Sequence, residues 1–158
     1  MWNGASRALV LGTFPSVKSR ENAFYYGHPQ NRFWRVLAAL FEESAPRTIE
    51  EKKILLLSHN VALWDVLASC DITGSADGSI RRPVPNDIAA LLAKAPIRGV
   101  FCNGQAAFAL YRRWCRPQTG VPAVALPSTS PANARWTPAM LAEAWRPLLI
   151  SVTDTGTE

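Results

Sequence analysis

Apolar residues fall into two kinds of run along this chain. Ala8-Leu9-Val10-Leu11 is short, unbroken and stopped by Gly12, the pattern of a strand buried on both faces. Over residues 31–43, Phe33, Trp34, Leu37, Leu40 and Phe41 recur at helical spacing, which predicts an amphipathic helix. A second helix is predicted over 48–58, with Thr48 able to cap it, Glu50 and Glu51 suited to its first turn and Asn60 as its stop. Residues 61–66 form an apolar strand-like run. Residues 71–85 are rich in Gly, Ser, Asp and Pro and read as a long loop. A helix then starts at Pro85 or Asn86 and runs through Lys94, followed by a strand over 97–102 broken by Arg98-Gly99. Residues 104–115 read as a helix and 123–126 as a strand. Thr137-Pro138 is a cap followed by proline at the first helical position, and Pro147 ends or kinks that helix after Trp145.

Strands therefore alternate with helices, and each strand is a short apolar run without alternation. That is the mark of a parallel sheet covered on both faces. The expected fold is a single domain over 1–158, an α/β three-layer α/β/α sandwich around a central, mostly parallel four-stranded sheet. Ligands of such sheets bind beyond the carboxyl ends of the strands. The segments there are 12–16, 65–70, 103–105 and 127–133, which should converge on one crevice despite their distance in sequence.

Composition narrows the partner more than the fold. The 158 residues are 48% hydrophobic, enough for a packed core. With 17 Lys+Arg against 12 Asp+Glu the formal charge is +5, which favours a polyanionic partner without specifying a reaction. Cys70, Cys102 and Cys115 are odd in number and form no CxxC pair, so neither a zinc site nor an iron–sulfur cluster is suggested, and reduced thiols are expected. No signal-peptide layout and no apolar run of membrane-spanning length is present, so a cytoplasmic, nucleoid-associated protein is expected.

Two strings and one distant loop concentrate the candidate chemistry. Gly12-Thr13-Phe14-Pro15-Ser16 follows the first strand; glycine permits close ligand approach and proline fixes the path, but the loop holds no acid or base. It is neither a dinucleotide fingerprint nor a P-loop. Phe24 and the string Tyr25-Tyr26-Gly27-His28-Pro29-Gln30-Asn31-Arg32-Phe33-Trp34 offer rings able to stack a planar base. Asn31 both donates and accepts, so it can orient water, read a base edge or simply cap a helix. His28 is either an acid–base group or a structural one, and His59 is structural. Asp65, at a strand end, is either a general base or a partner in a salt bridge or loop cap. Asn103 precedes a helix N-terminus and can cap it or bind an anion there. Leu126-Pro127-Ser128-Thr129-Ser130-Pro131 is a stiff hydroxyl-rich loop of the kind that clamps phosphates, with Arg135 and Trp136 close behind.

Taken together, GTFPSVKS, YYGHPQNRFW and ALPSTSPANARW resemble the uracil-DNA glycosylase superfamily, and within it the hypoxanthine-DNA (deoxyinosine) glycosylase branch. The order of elements agrees over residues 8–149. The resemblance implies a monofunctional DNA glycosylase that flips a deaminated base and hydrolyses its N-glycosidic bond with water, without cofactor or metal. The implied partner is DNA containing deaminated bases, and a monomer is expected.

Carried over residue by residue, the resemblance makes Asn31 the catalytic residue, holding water and stabilising an oxocarbenium-like transition state. It builds the base pocket from Gly12, Thr13, Phe14, Pro15, Phe24, Tyr25, Tyr26, His28 and Asn103. It gives DNA contacts to Ser16, Lys18, Ser128, Thr129, Ser130, Asn133 and Arg135. Two departures point away from uracil. Thr13 and Phe14 stand where other branches carry a water-activating Asp or Asn, and Leu126 stands where uracil-specific members carry histidine. A uracil or G:T/G:U mismatch-specific glycosylase, a catalytically inert nucleic-acid-binding domain and a small-molecule hydrolase using Asp65 or His28 remain alternatives on sequence.

Overall fold

The first apolar run is β1 (Ala8–Gly12), and all five of its residues are buried. It lies inside the sheet because both of its neighbours are also apolar strands. β2 (Val61–Asp65) pairs parallel on one side and β5 (Gly99–Asn103) on the other, with β6 (Val124–Leu126) parallel outside β5. The order is β2-β1-β5-β6. A computed structural model describes residues 1–14, 24–71 and 81–153, apart from the side chains of 69–71 and 81.

Alternation along β1 separates two cores. Ala8 and Val10 face a cluster built from α1 (Phe33–Leu40), α2 (Ile49–Ser58), α6 (Pro138–Ala144) and α7 (Arg146–Thr153), including Phe33, Leu37, Leu56, Leu141, Trp145 and Leu148. Leu9 and Leu11 face the opposite cluster, which takes Ile88 and Leu91 from α3 (Ile88–Lys94) and Ala107 and Tyr111 from α4 (Gln105–Trp114). A short α5 (Arg116–Thr119) follows. The expected three layers and four parallel central strands are present. Cys102 and Cys115 are buried free thiols whose pKa values burial pushes up to about 12 and about 11, which leaves them protonated and unreactive.

The caps follow their residue chemistry. Thr48 Oγ1 accepts from Glu51 N at 3.0 Å, Thr137 Oγ1 from Met140 N at 3.2 Å and Asp87 Oδ1 from Ala90 N at 3.1 Å. Asn60 takes φ 60°, the left-handed stop expected of it after α2.

Three elements differ from the sequence expectation. The segment read as a loop over 71–85 carries strand pairing: β3 (Leu67–Asp71) and β4 (Arg81–Pro85) form an antiparallel pair with two register shifts. Pro83 and Pro85 hide it from sequence reading, yet such a two-stranded ribbon has unpaired edges where proline loses no ladder bond. Residues 72–80 of that loop lie outside the described residues. Pro147 does not merely end a helix; it sits in the first turn of α7, where its missing N–H is not needed. The helix read over 31–43 is shorter, Phe33–Leu40, because Glu42 turns left-handed at φ 54°.

Trp145 is fully buried, and its Nε1 donates to Pro127 O at 2.9 Å, tying the core to the loop beyond β6. Trp145→Ala should therefore cost about 3–5 kcal/mol in urea-midpoint measurements. Trp145→Phe should cost less, since it keeps most of the packing and loses the hydrogen bond.

Candidate active site

The four parallel strands end side by side, and a polar floor crosses their carboxyl ends. Gly12 closes β1 directly opposite Asp65 of β2. Their proximity explains the glycine: a Cβ on Gly12 would lie 2.6 Å from Asp65 Oδ1 and 3.3 Å from the Tyr26 hydroxyl. Val66 N donates to Gly12 O at 2.8 Å and Leu67 N to Thr13 O at 2.9 Å, so the turn after β1 is laced to the chain leaving β2. Phe14 packs half-buried on the Leu9/Leu11 core. Pro15, Ser16 and Lys18 lie outside the described residues.

Asp65 is 8% exposed, and no described residue hydrogen-bonds its carboxyl. Burial pushes its pKa from 3.8 up to about 7, with the Met1 amino group opposing. Its main chain is braced instead, since Asn86 Nδ2 donates to Asp65 O at 2.7 Å. Among the described residues the side chain therefore makes no loop cap and no close salt bridge.

Tyr26 sits beside it. Its ring stacks on Phe33 at 4.3 Å and 27°, its backbone is left-handed at φ 53°, and its buried hydroxyl has no hydrogen-bond partner among the described residues. Burial first, and then the Asp65 charge, raise its pKa well beyond the ordinary phenol range; the adjacent Asn103 amide opposes this without closing a bond of ordinary geometry. Tyr25 is pushed up to about 12 by the same two causes in the same order. Phe24 stacks on Trp34 at 5.8 Å and meets Tyr25 edge-on, while Trp34 Nε1 donates to Tyr25 O at 3.1 Å. The rings of 24–26 are thereby fixed against the core, each half-buried.

The floor continues as a chain of amides and one hydroxyl. Asn103 ends β5; its Nδ2 donates to Thr129 Oγ1 at 3.0 Å, and its Oδ1 accepts from Thr129 N at 3.0 Å. The Thr129 hydroxyl in turn donates to Asn31 Oδ1 at 2.8 Å. Asn31 Oδ1 also accepts from Phe33 N at 2.9 Å, so it covers the first turn of α1 from outside the helix, with Arg32 as the N-cap. A carbonyl oxygen has two lone pairs, and both are engaged here. The Asn31 amide therefore presents its Nδ2 donor. Thr129 is fully buried, and its hydroxyl bridges the two asparagines. Ser128 and Ser130 are half-buried and Arg135 is exposed. Ser128 Oγ accepts from Ser130 N at 3.1 Å, and Asn133 Nδ2 donates to Ser128 O at 3.0 Å. His28 turns inward on its own segment: its Nδ1 accepts from Gln30 N at 3.1 Å, and its carbonyl from Asn31 N at 2.9 Å.

Sequence reasoning missed the residue that assembles this network. Arg32 is 8% exposed, and its guanidinium donates to four backbone carbonyls of the 129–136 loop. They are Thr129 O at 3.3 Å, Ser130 O at 2.7 Å, Asn133 O at 3.0 Å and Trp136 O. Arg32 N also donates to Thr129 O at 3.1 Å. The available signal was an arginine inside an apolar stripe, immediately before two core aromatics. Among the described residues, no group of His, Cys, Asp and Glu could hold a metal ion, and no helix is long and apolar enough to cross a membrane.

Two outcomes follow from these environments. Arg32→Lys keeps the charge but not the planar fork, and should lower stability by about 2–3 kcal/mol and speed amide exchange selectively over 128–136. Asp65 has a folded pKa above its unfolded value, so its neutral form favours folding below about pH 4, and that contribution fades as pH rises through about 7. Asp65→Asn should thus match the wild type in denaturant midpoint near pH 4 and exceed it at pH 8.

Known proteins include relatives of this chain. The family model described as the uracil DNA glycosylase superfamily matches residues 2–149. The chain is 36% identical over 130 residues to the hypoxanthine DNA glycosylase of Methanosarcina acetivorans, covering 81% of each protein. It is 32% identical over 99 residues to the hypoxanthine DNA glycosylase of Methanosarcina barkeri, covering 61% of this chain and 63% of that one. A solution NMR structure of a candidate uracil DNA glycosylase from Methanosarcina acetivorans superposes with a TM-score of 0.77 at 30% identity, over 94% of each chain.

Proposed function

The chain belongs to the uracil DNA glycosylase superfamily, and on that premise we propose that it is a monofunctional DNA glycosylase for deaminated bases, with hypoxanthine its principal substrate. The curated relatives named for hypoxanthine support that base, as does the absence of any acid or base at Thr13 and Phe14. We read it as a single-domain enzyme acting as a monomer on flipped nucleotides in DNA.

The observation that carries the mechanism is the orientation of Asn31. Its carbonyl oxygen is filled by Phe33 N–H and the Thr129 hydroxyl, so the amide offers hydrogens, not lone pairs. Such a group does not draw a proton from water. It donates a hydrogen bond to negative charge, and in this reaction negative charge develops on the departing base. Water attacks C1′, the C1′–N9 bond breaks, and its electron pair passes to the base while the sugar passes through an oxocarbenium-like state. A donor held by two buried contacts stabilises that charge without reorganising. Gly12 makes room for the Asp65 carboxyl at the strand ends, and Tyr25 and Phe24 flank the base. Ser128, Ser130, Asn133 and Arg135 serve the phosphates, while Thr129 is a positioning residue that keeps the Asn31 amide turned.

Labelled duplexes containing inosine, uracil, xanthine or a G·T mismatch test the reading. Abasic sites should appear fastest from inosine; no base release from any duplex would overturn it in favour of an inert binding domain. Asn31→Ala should reduce the single-turnover rate by about 10²–10³-fold with little change in DNA affinity.

A further inference from the structure

Asp65 is the ionisable group on this floor that the mechanism above leaves without work. Its carboxyl lies at the end of β2, over the bare Cα of Gly12 and in the opening that this glycine creates. No described residue hydrogen-bonds it, although the neighbouring main chain is braced by Asn86 Nδ2 on Asp65 O and by Val66 N on Gly12 O. The buried Tyr26 hydroxyl, which has no hydrogen-bond partner among the described residues, faces the same point above Gly12. A buried carboxyl is costly for a fold in its charged form, and its cheapest form is the neutral acid.

We propose that Asp65 is a second catalytic residue, a general acid that protonates the departing base from the floor of the pocket while Asn31 stabilises it from the side. The proposal rests on the glycosylase reading above. A purine lactam such as hypoxanthine presents ring-nitrogen and carbonyl acceptors to such a donor. As the C1′–N9 bond breaks and its electron pair enters the base, the Asp65 carboxyl proton moves to an acceptor atom of the base. The water oxygen bonds to C1′, and the proton that water loses returns through solvent to the Asp65 carboxylate. Water and nucleotide become abasic site and neutral base, with no other reactant.

The surroundings keep the acid form populated up to neutral pH. Burial raises the Asp65 pKa to about 7. The described ionisable groups that face it are the Met1 amino group, from the segment before β1, and the Tyr25 and Tyr26 hydroxyls, from the segment before α1. Met1 opposes the shift. Both tyrosines stay protonated throughout the range in which Asp65 titrates, so the carboxyl alone sets the limb. The sign is fixed: the competent form is protonated, so the rate falls as pH rises through the Asp65 pKa.

Single-turnover release of hypoxanthine from a labelled inosine duplex, measured from pH 5.5 to 9 with wild type, Asp65→Asn, Asp65→Ala and Asn31→Ala, tests this. The wild-type rate should fall about tenfold per pH unit above the pKa of the acid. Asp65→Asn, close to isosteric and folded by denaturant midpoint, should be slower at pH 6 by at least tenfold and flat across the range, with Asp65→Ala no faster. Asn31→Ala should be slow but keep the falling limb, because its acid is intact. A wild-type rate unchanged between pH 6 and 9, or Asp65→Asn as fast as wild type at pH 6, overturns the role of Asp65 and leaves the glycosylase reading standing. A wild type that releases no base from any duplex fails at the earlier reading instead.

Discussion

A single buried guanidinium holds the two halves of the site together. Arg32 and its carbonyl partners are 97 to 104 residues apart in sequence, and no other described side chain makes as many long-range hydrogen bonds. A cation removed from water needs compensation, and here it comes from carbonyl dipoles rather than a carboxylate. That choice leaves the loop free of a buried anion. It also fixes Thr129, which is the link between Asn103 and Asn31. The Asn31 amide is therefore oriented through a relay whose far end is the arginine next to it in sequence.

The sheet supplies the rest of the geometry. Parallel pairing in the order β2-β1-β5-β6 brings Asp65, Gly12, Asn103 and the 127–130 loop into one row. Each contributes a different property: a carboxyl, a gap, an amide and a rigid turn. Electrostatically the row is unusual in having little fixed charge. The amides are neutral, Tyr26 and Tyr25 hold their protons, and burial favours the neutral form of Asp65. Such a floor neither repels a polyanion nor binds it tightly.

Much of this was legible in the sequence, and the reasons differ by residue. The run 8–11 and the strings around Asn31 and Ser128 are local patterns, so the strands, the layered fold and the convergence of four strand ends could be read from them. The antiparallel pair of β3 and β4 could not, because proline and turn-forming residues dominate 81–85 and pairing is a property of two segments at once. Thr129 reads as a DNA contact by its company of serines and prolines; only the packing of 32 against 129–136 shows it to be fully buried. The direction of the Asn31 amide was equally hidden, since it is decided by a donor 98 residues away.

The Arg32 fork grips main-chain carbonyls, and every residue has one. Its hold on the loop is accordingly indifferent to which side chains stand at Ser130, Asn133 and Trp136. A substitution at those positions removes a local contact, such as that of Asn133 Nδ2 with Ser128 O, without removing a carbonyl that the fork holds. The clamp thereby separates the path of the loop from the identity of its side chains.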